Sequence, residues 1–378
     1  MLKYITAGES HGKYLISVIE GVPAGLKLAT AEIDAELARR QKGYGRGERM
    51  KIERDTVEFL SGVRWGETTG SPVSMLMKNR DWENWKTMMS ADAKDRDEKF
   101  YVTSPRPGHA DLSGVIKYSR EDTRDIMERA SARETAARVA AGAVCKKFIS
   151  EFGIKVFSFV EEIGGVLAET SGMDITGNYS KIESSPVRCP DSVAEERMLE
   201  VIDAATEKGD TLGGIFRVIV SGVPAGLGSH TQWDRRIDGS IAGAFMSIQA
   251  VKGVEVGRGF EFARRFGSEV HDEIFYDAGK KKYYRKTNNA GGIEGGMTNG
   301  EDVVIRAVMK PIPSLKKPLR SVDIKTKEAV HAEIVRSDVC AVPSCSIIGE
   351  SAAAYVIAGA FLEKYGGDSI KEIKERFL

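Results

Sequence analysis

Near the start of the chain, Gly8-Glu9-Ser10-His11-Gly12 sets a hydroxyl and an imidazole between two glycines. The apolar run Leu2 to Ala7 before it reads as a short strand ending in a tight turn. Such a turn pushes both side chains out of the backbone with little bulk around them. A lone histidine is an ordinary residue, so the rest of the chain must supply its partners. Five histidines occur in all, and a second one, His109, lies in another glycine-containing polar turn, Arg106-Pro107-Gly108-His109-Ala110-Asp111. An imidazole changes charge near neutral pH, so a pair of them in exposed turns is equipped for proton transfer.

Arginines gather around small residues in three further places. In Gly43-Tyr44-Gly45-Arg46-Gly47-Glu48-Arg49, glycines let the backbone curl, so that Arg46 and Arg49 can converge with Arg40 of the preceding segment. The planar guanidinium suits phosphate and carboxylate. A small multi-anionic ligand and a solvated charged loop both account for this stretch. In Glu128-Arg129-Ala130-Ser131-Ala132-Arg133-Glu134-Thr135, Arg129 and Arg133 stand one helical turn apart on a shared face, where small neighbours would admit a flat ligand. Alternatively, this is a helix laced with Glu-Arg pairs. In Arg336-Ser337-Asp338, a carboxylate beside an arginine is a candidate proton acceptor. Glycine pairs at Gly291-Gly292 and Gly295-Gly296 precede the rigid segment Lys310-Pro311-Ile312-Pro313-Ser314, which suits a backbone-lined pocket for a planar cofactor. Gln249-Ala250 lies in another small-residue segment. There is no G-x-G-x-x-G after a strand and no metal-ligand spacing. Two imidazoles, a carboxylate and many arginines describe proton transfers around a phosphorylated substrate.

These residues need elements to hold them. Tyr14 to Glu20 reads as a strand and Gly21 to Leu26 as a turn; Thr30 then caps a helix carrying Ile33, Leu37, Arg39 and Arg40. Thr56 to Leu60 and Ser71 to Met77 read as strands. Asp81 to Lys99 is a charged, exposed excursion bearing Trp82 and Trp85 that could fold onto a partner subunit. From Asp122 a single long helix is expected through Glu134 to about Phe148, alanine-rich and closely packed. Lys155 to Val166 is strand-like, and Glu195 to Glu207 is an amphipathic helix. The chain then repeats itself: Gly222-Val223-Pro224-Ala225-Gly226-Leu227 copies Gly21-Val22-Pro23-Ala24-Gly25-Leu26. Each copy follows an apolar strand and precedes a helix with Ile-Asp (Ile33-Asp34, Ile237-Asp238). This predicts a single domain of two similar halves, about 1–150 and 210–350, sharing one core.

The bulk composition narrows the function classes. The 378 residues are 42% hydrophobic and 29% charged, with 55 basic and 55 acidic residues, so net charge is +0. A general nucleic-acid binder would be basic, which weighs against an RNA-binding reading of the arginine loops. The four cysteines have no C-x-x-C spacing, so neither zinc nor disulfides are expected. No leader precedes Met1-Leu2-Lys3 and no run is expected to span a membrane, which makes the cytoplasm the expected location.

Taken together, the ordered motifs closely resemble the chorismate synthase family from Tyr4 to Glu350. They include Gly-Glu-Ser-His-Gly, Gly-Tyr-Gly-Arg-Gly-x-Arg-Met, Arg-Pro-Gly-His-Ala-Asp, Glu-Arg-x-Ser-Ala-Arg-Glu-Thr, Gly-Asp-Thr-Leu-Gly-Gly, Lys-Pro-Ile-Pro-Ser and Arg-Ser-Asp. Cys345 departs from the family's usual smaller or aliphatic residue. The resemblance implies an α+β fold with helices packed between two antiparallel sheets, an internally duplicated sandwich, and a homotetramer. It implies a lyase that takes 5-enolpyruvylshikimate 3-phosphate to chorismate by 1,4-elimination, using reduced FMN without net redox change, with NADPH as an indirect reductant. By position, His11 would protonate the departing phosphate and His109 the reduced flavin, while Asp338 with Ser10 would assist deprotonation at flavin N5. The FMN contacts would be Arg129, Ala130, Ser131, Gln249, Ala250, Gly295, Lys310, Pro311, Ile312, Pro313, Ser314 and Arg336. Arg40, Arg46, Arg49, Arg106 and Arg133 would hold the substrate, or in part a pyridine nucleotide. A conventional flavin oxidoreductase, consuming NADPH in proportion to product, is the alternative.

Overall fold

The computed structural model describes residues 2–47, 53–334 and 338–377. Two antiparallel sheets form its outer layers. The first has strand order Lys3–Ala7, Tyr14–Glu20, Val73–Lys78, Glu58–Ser61. The second runs Val251–Val256, Val303–Met309, Gly214–Ser221, Lys155–Ile163, Val166–Leu167. Alternation along the strands makes each sheet one-sided. Leu15, Ser17 and Ile19 turn inward from the first sheet, as do Val73, Met75 and Met77; Phe216, Val218 and Val220 do so from the second.

Between the sheets lie the helices. Thr135–Ser150 packs on the Tyr14–Glu20 strand and on the first helix, Thr30–Gln41. The long helix Val342–Tyr365 packs on Lys155–Ile163, Gly214–Ser221 and Ile237–Met246. These two central helices also pack on each other, closely enough that a Cβ at Gly142 would fall 2.3 Å from the Cβ of Ser351. The alanine-rich face therefore serves close helix approach. Val342–Tyr365 is long and apolar enough to cross a membrane, yet 72% of its apolar window is buried in this core. The expected layering, helices between two antiparallel sheets in an α+β fold, is what the chain adopts.

One expectation is corrected. The single helix from Asp122 to Phe148 is broken: Arg124–Ala130 ends at Ser131, which is extended (φ −62, ψ 142), and Thr135–Ser150 starts after one 3₁₀ turn. The Ser131 side chain accepts from the N–H of Arg133, a cap that restarts the helix in a new direction. Arg129 and Arg133 therefore do not share a helical face. The Asp81–Lys99 excursion forms short 3₁₀ turns and sets Trp85 against His11 of its own chain.

The two copies of the repeated hexapeptide are fastened alike. Thr68 donates its hydroxyl to Pro23 O (2.6 Å) and accepts from Leu26 N (3.0 Å). Thr298 donates to Pro224 O (2.7 Å) and accepts from Leu227 N (2.9 Å). Each threonine closes a two-residue-per-strand hairpin, Val63–Arg64 with Glu67–Thr68 and Ile293–Glu294 with Met297–Thr298.

Candidate active site

The turn that presents His11 is specified by Gly8. Its φ is +102°, and a Cβ there would lie 2.2 Å from Tyr14 O, so only glycine is accommodated. Asn79 clamps the turn, donating from its side chain to Gly12 O (2.6 Å) and Glu9 O (3.2 Å). Glu128, on Arg124–Ala130, holds the histidine from the other side. It accepts from the His11 backbone N–H (2.8 Å), and its two carboxylate oxygens each lie 2.9 Å from Nδ1. Burial alone would raise the Glu128 carboxyl, but the hydrogen bonds and charge of His11 outweigh it and hold Glu128 below the usual range. A carboxylate at Nδ1 keeps the proton there, so any proton His11 delivers to a ligand leaves from Nε2. Ser10 donates its N–H to Glu128 O (2.9 Å) and receives the Ser131 hydroxyl (3.2 Å), which ties the turn to the helix break.

His109 is held the same way by a different carboxylate. Its Nδ1 is 2.5 Å from Asp111 Oδ1, while Arg106 Nη2 approaches the same nitrogen at 3.0 Å. Both cannot be hydrogen bonds of one ring nitrogen, because arginine only donates. The shorter, charge-assisted contact wins, so Nδ1 carries a proton toward Asp111. Arg106 pairs with Asp111 as well (2.9 Å) and reaches Ser314 Oγ (2.8 Å). Burial opposes ionisation of Asp111, yet the His109 and Arg106 partners keep it far below the ordinary carboxylate range. Lys310 donates its ammonium to Gly108 O, and burial with the neighbouring Lys252 charge lowers it from its usual value. The turn bearing His109 and the Lys310–Ser314 segment are thus one assembly.

The other arginines fall into distinct settings. Arg40 and Arg133 are 3% and 5% exposed and both donate to Asp55 Oδ2 at 2.7 Å. Arg133 also forks onto Asn79 Oδ1 (3.0 and 2.9 Å). Burial and the positive charges of Arg133 and Arg46 outweigh the Asp55 attraction and bring Arg40 down to about 10. Asp55 moves the opposite way, to about 2, because two guanidiniums overcome its burial. Arg46 pairs with Asp338 (3.3 Å), whose other oxygen accepts from Gly47 N (2.6 Å). So Arg46 and Asp338, read separately from the sequence, are one ion pair. Arg129 braces the first strand by donating to Thr6 O (2.9 Å) and Gly8 O (3.2 Å). Arg49 and Arg336 lie outside the described residues.

Among the cofactor candidates, Gln249 donates to Glu134 Oε2 (3.0 Å), and its own Oε1 is buried without a partner among the described residues. Ala250 has φ +68°, a strained value for a residue with a Cβ, and its carbonyl accepts from Lys310 N (2.9 Å). An orphaned acceptor, a strained backbone, hydroxyls at Ser131 and Ser314, and an ammonium and a guanidinium at Lys310 and Arg129 fit the donor set of a phosphorylated flavin. Gly295 stands apart. Its hairpin is bonded to the first residue of Ile237–Met246 through Ile237 N and Gly296 O (3.0 Å). Gln249 lies past the other end of that helix, about 15 Å of helical rise away. A Cβ at Gly295 would meet nothing within 4 Å.

Sequence reasoning named His11, His109, Arg106 and Asp338 but gave no role to Glu128, Asp111, Asp55, Asn79 or Trp85. Asp111 follows His109 by two residues and was legible in the motif. Asp55 carries no local signal, because its partners come from the first helix and from the 3₁₀ turn after the helix break.

The profile of the chorismate synthase family matches residues 2–362. A relative named chorismate synthase from Geobacter sulfurreducens is 57% identical over 383 residues, covering 100% of this chain and 98% of the relative. One of the same name from Aquifex aeolicus is 57% identical over 384 residues, covering 100% and 96%. A solved structure titled "Crystal Structure of Chorismate Synthase" superposes with a TM-score of 0.81 at 48% identity, covering 100% of this chain and 96% of that one. The chain belongs to the chorismate synthase family.

Proposed function

We propose that this chain is a carbon–oxygen lyase of aromatic biosynthesis that converts 5-enolpyruvylshikimate 3-phosphate to chorismate and phosphate by 1,4-elimination. The family match carries the reaction. The observation that supports the assignment of residues is the pair of imidazoles, His11 and His109, each backed at Nδ1 by a buried carboxylate.

Elimination breaks the C3–O bond to phosphate and releases a proton from C6, so the substrate loses one phosphate and one proton and gains a second ring double bond. The departing oxygens gather negative charge. A proton held on His11 Nε2 and guanidiniums nearby would stabilise it. Arg40, Arg46, Arg49, Arg106 and Arg133 are the proposed anion contacts. When bound, reduced FMN would supply an electron to the substrate and recover it, leaving the reaction redox-neutral. Arg129, Ala130, Ser131, Gln249, Ala250, Lys310, Pro311, Ile312, Pro313, Ser314 and Arg336 are the proposed residues for that cofactor. His109, with Asp111 at its Nδ1, is the proposed proton donor on the cofactor side, and Asp338, with Ser10, is the proposed proton acceptor. NADPH is the proposed indirect reductant. We further infer a homotetramer in the cytoplasm, built from a single domain whose halves, about 1–150 and 210–350, are alike.

The test is an anaerobic assay with the phosphorylated substrate and dithionite-reduced FMN, following phosphate, chorismate and flavin absorbance together. Equal release of both products with the flavin still reduced is expected. Flavin oxidised in step with product would instead indicate an ordinary oxidoreductase, and no product would refute the lyase reading.

A further inference from the structure

The Asp81–Lys99 excursion contains one aromatic contact that its sequence does not announce. The indole of Trp85 stacks on the imidazole of His11 with ring centroids 3.8 Å apart and planes 24° from parallel. The stack is built on both sides. Trp85 is anchored by its indole N–H to Asp81 Oδ2 (3.0 Å) and by its backbone, whose N–H donates to Trp82 O (2.8 Å) and whose carbonyl accepts from Met89 N (2.8 Å). His11 is anchored edge-on by Glu128. Of the described residues, Glu128 faces the imidazole from Arg124–Ala130, and Arg124 of the same helix lies 5.3 Å from the Trp85 ring while donating to Glu128 Oε1 (3.4 Å). Asp81 holds the far edge of the indole.

We propose that Trp85 is a positioning residue for His11: its indole holds the imidazole against Glu128 and favours the charged, proton-bearing ring that elimination requires. The aromatic face carries negative quadrupole potential, so it attracts a cation lying over it. A carboxylate at the edge and an indole over the face act on the same charge from perpendicular directions. Together they also fix the plane of the ring, and so the direction in which Nε2 points. Arg124, a fixed positive charge close by, opposes protonation of His11, which makes the two attractive contacts matter more. The indole N–H is engaged by Asp81 and is far too weak an acid to transfer its proton, so Trp85 takes no part in bond breaking. Its effect passes through His11, so this inference rests on the reading of His11 as the proton donor.

The experiment uses the full chain and three variants, Trp85→Leu, Trp85→Phe and His11→Gln. Steady-state turnover is measured anaerobically with the phosphorylated substrate and reduced FMN. Loss of the stacked face in Trp85→Leu is expected to lower kcat about ten-fold. The KM should stay within about two-fold, because the contact is made to a catalytic group rather than to the substrate. Trp85→Phe, which keeps an aromatic face, should recover most of the lost kcat. Tryptophan emission of the ligand-free chain, taken as the difference from Trp85→Phe, should be quenched progressively as His11 takes up its proton. That pH-dependent component should vanish in His11→Gln. Wild-type kcat in Trp85→Leu, equal losses in the leucine and phenylalanine variants, or quenching that persists in His11→Gln would each overturn the proposal. If His11→Gln keeps full turnover, the reading of His11 is at fault and the inference falls with it. If His11→Gln is inactive while Trp85→Leu is unaffected, the inference alone fails.

Discussion

Asp55 shows how much of this site is decided by one side chain that no motif points to. Two buried guanidiniums, from the first helix and from the segment after the helix break, both meet its Oδ2. Without it, two buried positive charges would face each other, with Glu53 reaching only Arg133 of the two, at 3.8 Å. Replacement by asparagine keeps the shape and removes the compensating charge. Breaking a buried ion pair in this way costs about 3–5 kcal/mol, so Asp55→Asn should lower the denaturation midpoint markedly. An unchanged urea midpoint would mean that the arginines are held by something else. The sequence reading found Arg40 and Arg133 because arginine among small residues is a visible pattern. It could not find Asp55, since nothing near Arg54-Asp55-Thr56 distinguishes this carboxylate from a surface one. Glu128 was hidden differently. It sits beside Arg129 in a stretch that reads as an ordinary Glu-Arg helix, and only the return of the chain after 117 residues sets it under His11.

At the level of elements, strands were legible wherever one face meets the core and the other does not. Tyr14–Glu20 was read with its observed ends, because its buried residues alternate. The helix Val342–Tyr365 escaped notice for the opposite reason: it is buried on nearly every side, so no apolar stripe contrasts with a polar one. The break at Ser131 was also invisible, since serine is tolerated inside helices and its capping role depends on the backbone it adopts. What the sequence did reveal is the repeated hexapeptide, and the structure gives it a sharp test. Thr68 and Thr298 each donate to a proline carbonyl and accept from a leucine N–H, within 0.1 Å of one another in both contacts. Both hydroxyls are buried, so Thr→Val at either position leaves an unpaired carbonyl and N–H at a cost of about 1–3 kcal/mol. If the halves are equivalent, Thr68→Val and Thr298→Val should lower the thermal midpoint by similar amounts, and the double variant by their sum. A large loss in one and none in the other would show that only one turn bears on stability, whatever its likeness to the second.

For the whole molecule, a net charge of +0 conceals an interior crowded with paired charges, and pH should expose them. Among the described residues, seven buried or half-buried carboxylates, Asp55, Asp111, Glu128, Glu134, Glu183, Asp272 and Glu350, are held below their usual range. In every one burial pushes upward and is overcome by partners: Arg40 and Arg133 at Asp55, Arg39 and Arg188 at Glu183, Lys146, Arg39 and Arg188 at Glu350. A carboxylate whose folded value is depressed adds stability that is fully present above its unfolded value near 4. That stability is lost as pH falls through its folded value, which is about 2 for both Asp55 and Glu183. Asp34, Asp122 and Asp302 are raised by burial and act in the other direction, gaining as pH falls. The depressed set is the larger one and includes the groups most strongly displaced, so the balance is toward acid unfolding. Each such group steepens the fall by up to about 1.4 kcal/mol per pH unit. Urea unfolding should therefore give nearly constant stability between pH 5 and 7 for these groups, and a drop below about pH 4 steeper than one carboxylate can produce. Equal stability at pH 3 and pH 6 would mean that the buried pairs exchange their charges with solvent at no net cost, which the pairing of Glu350, buried completely among Arg39, Lys146 and Arg188, does not permit.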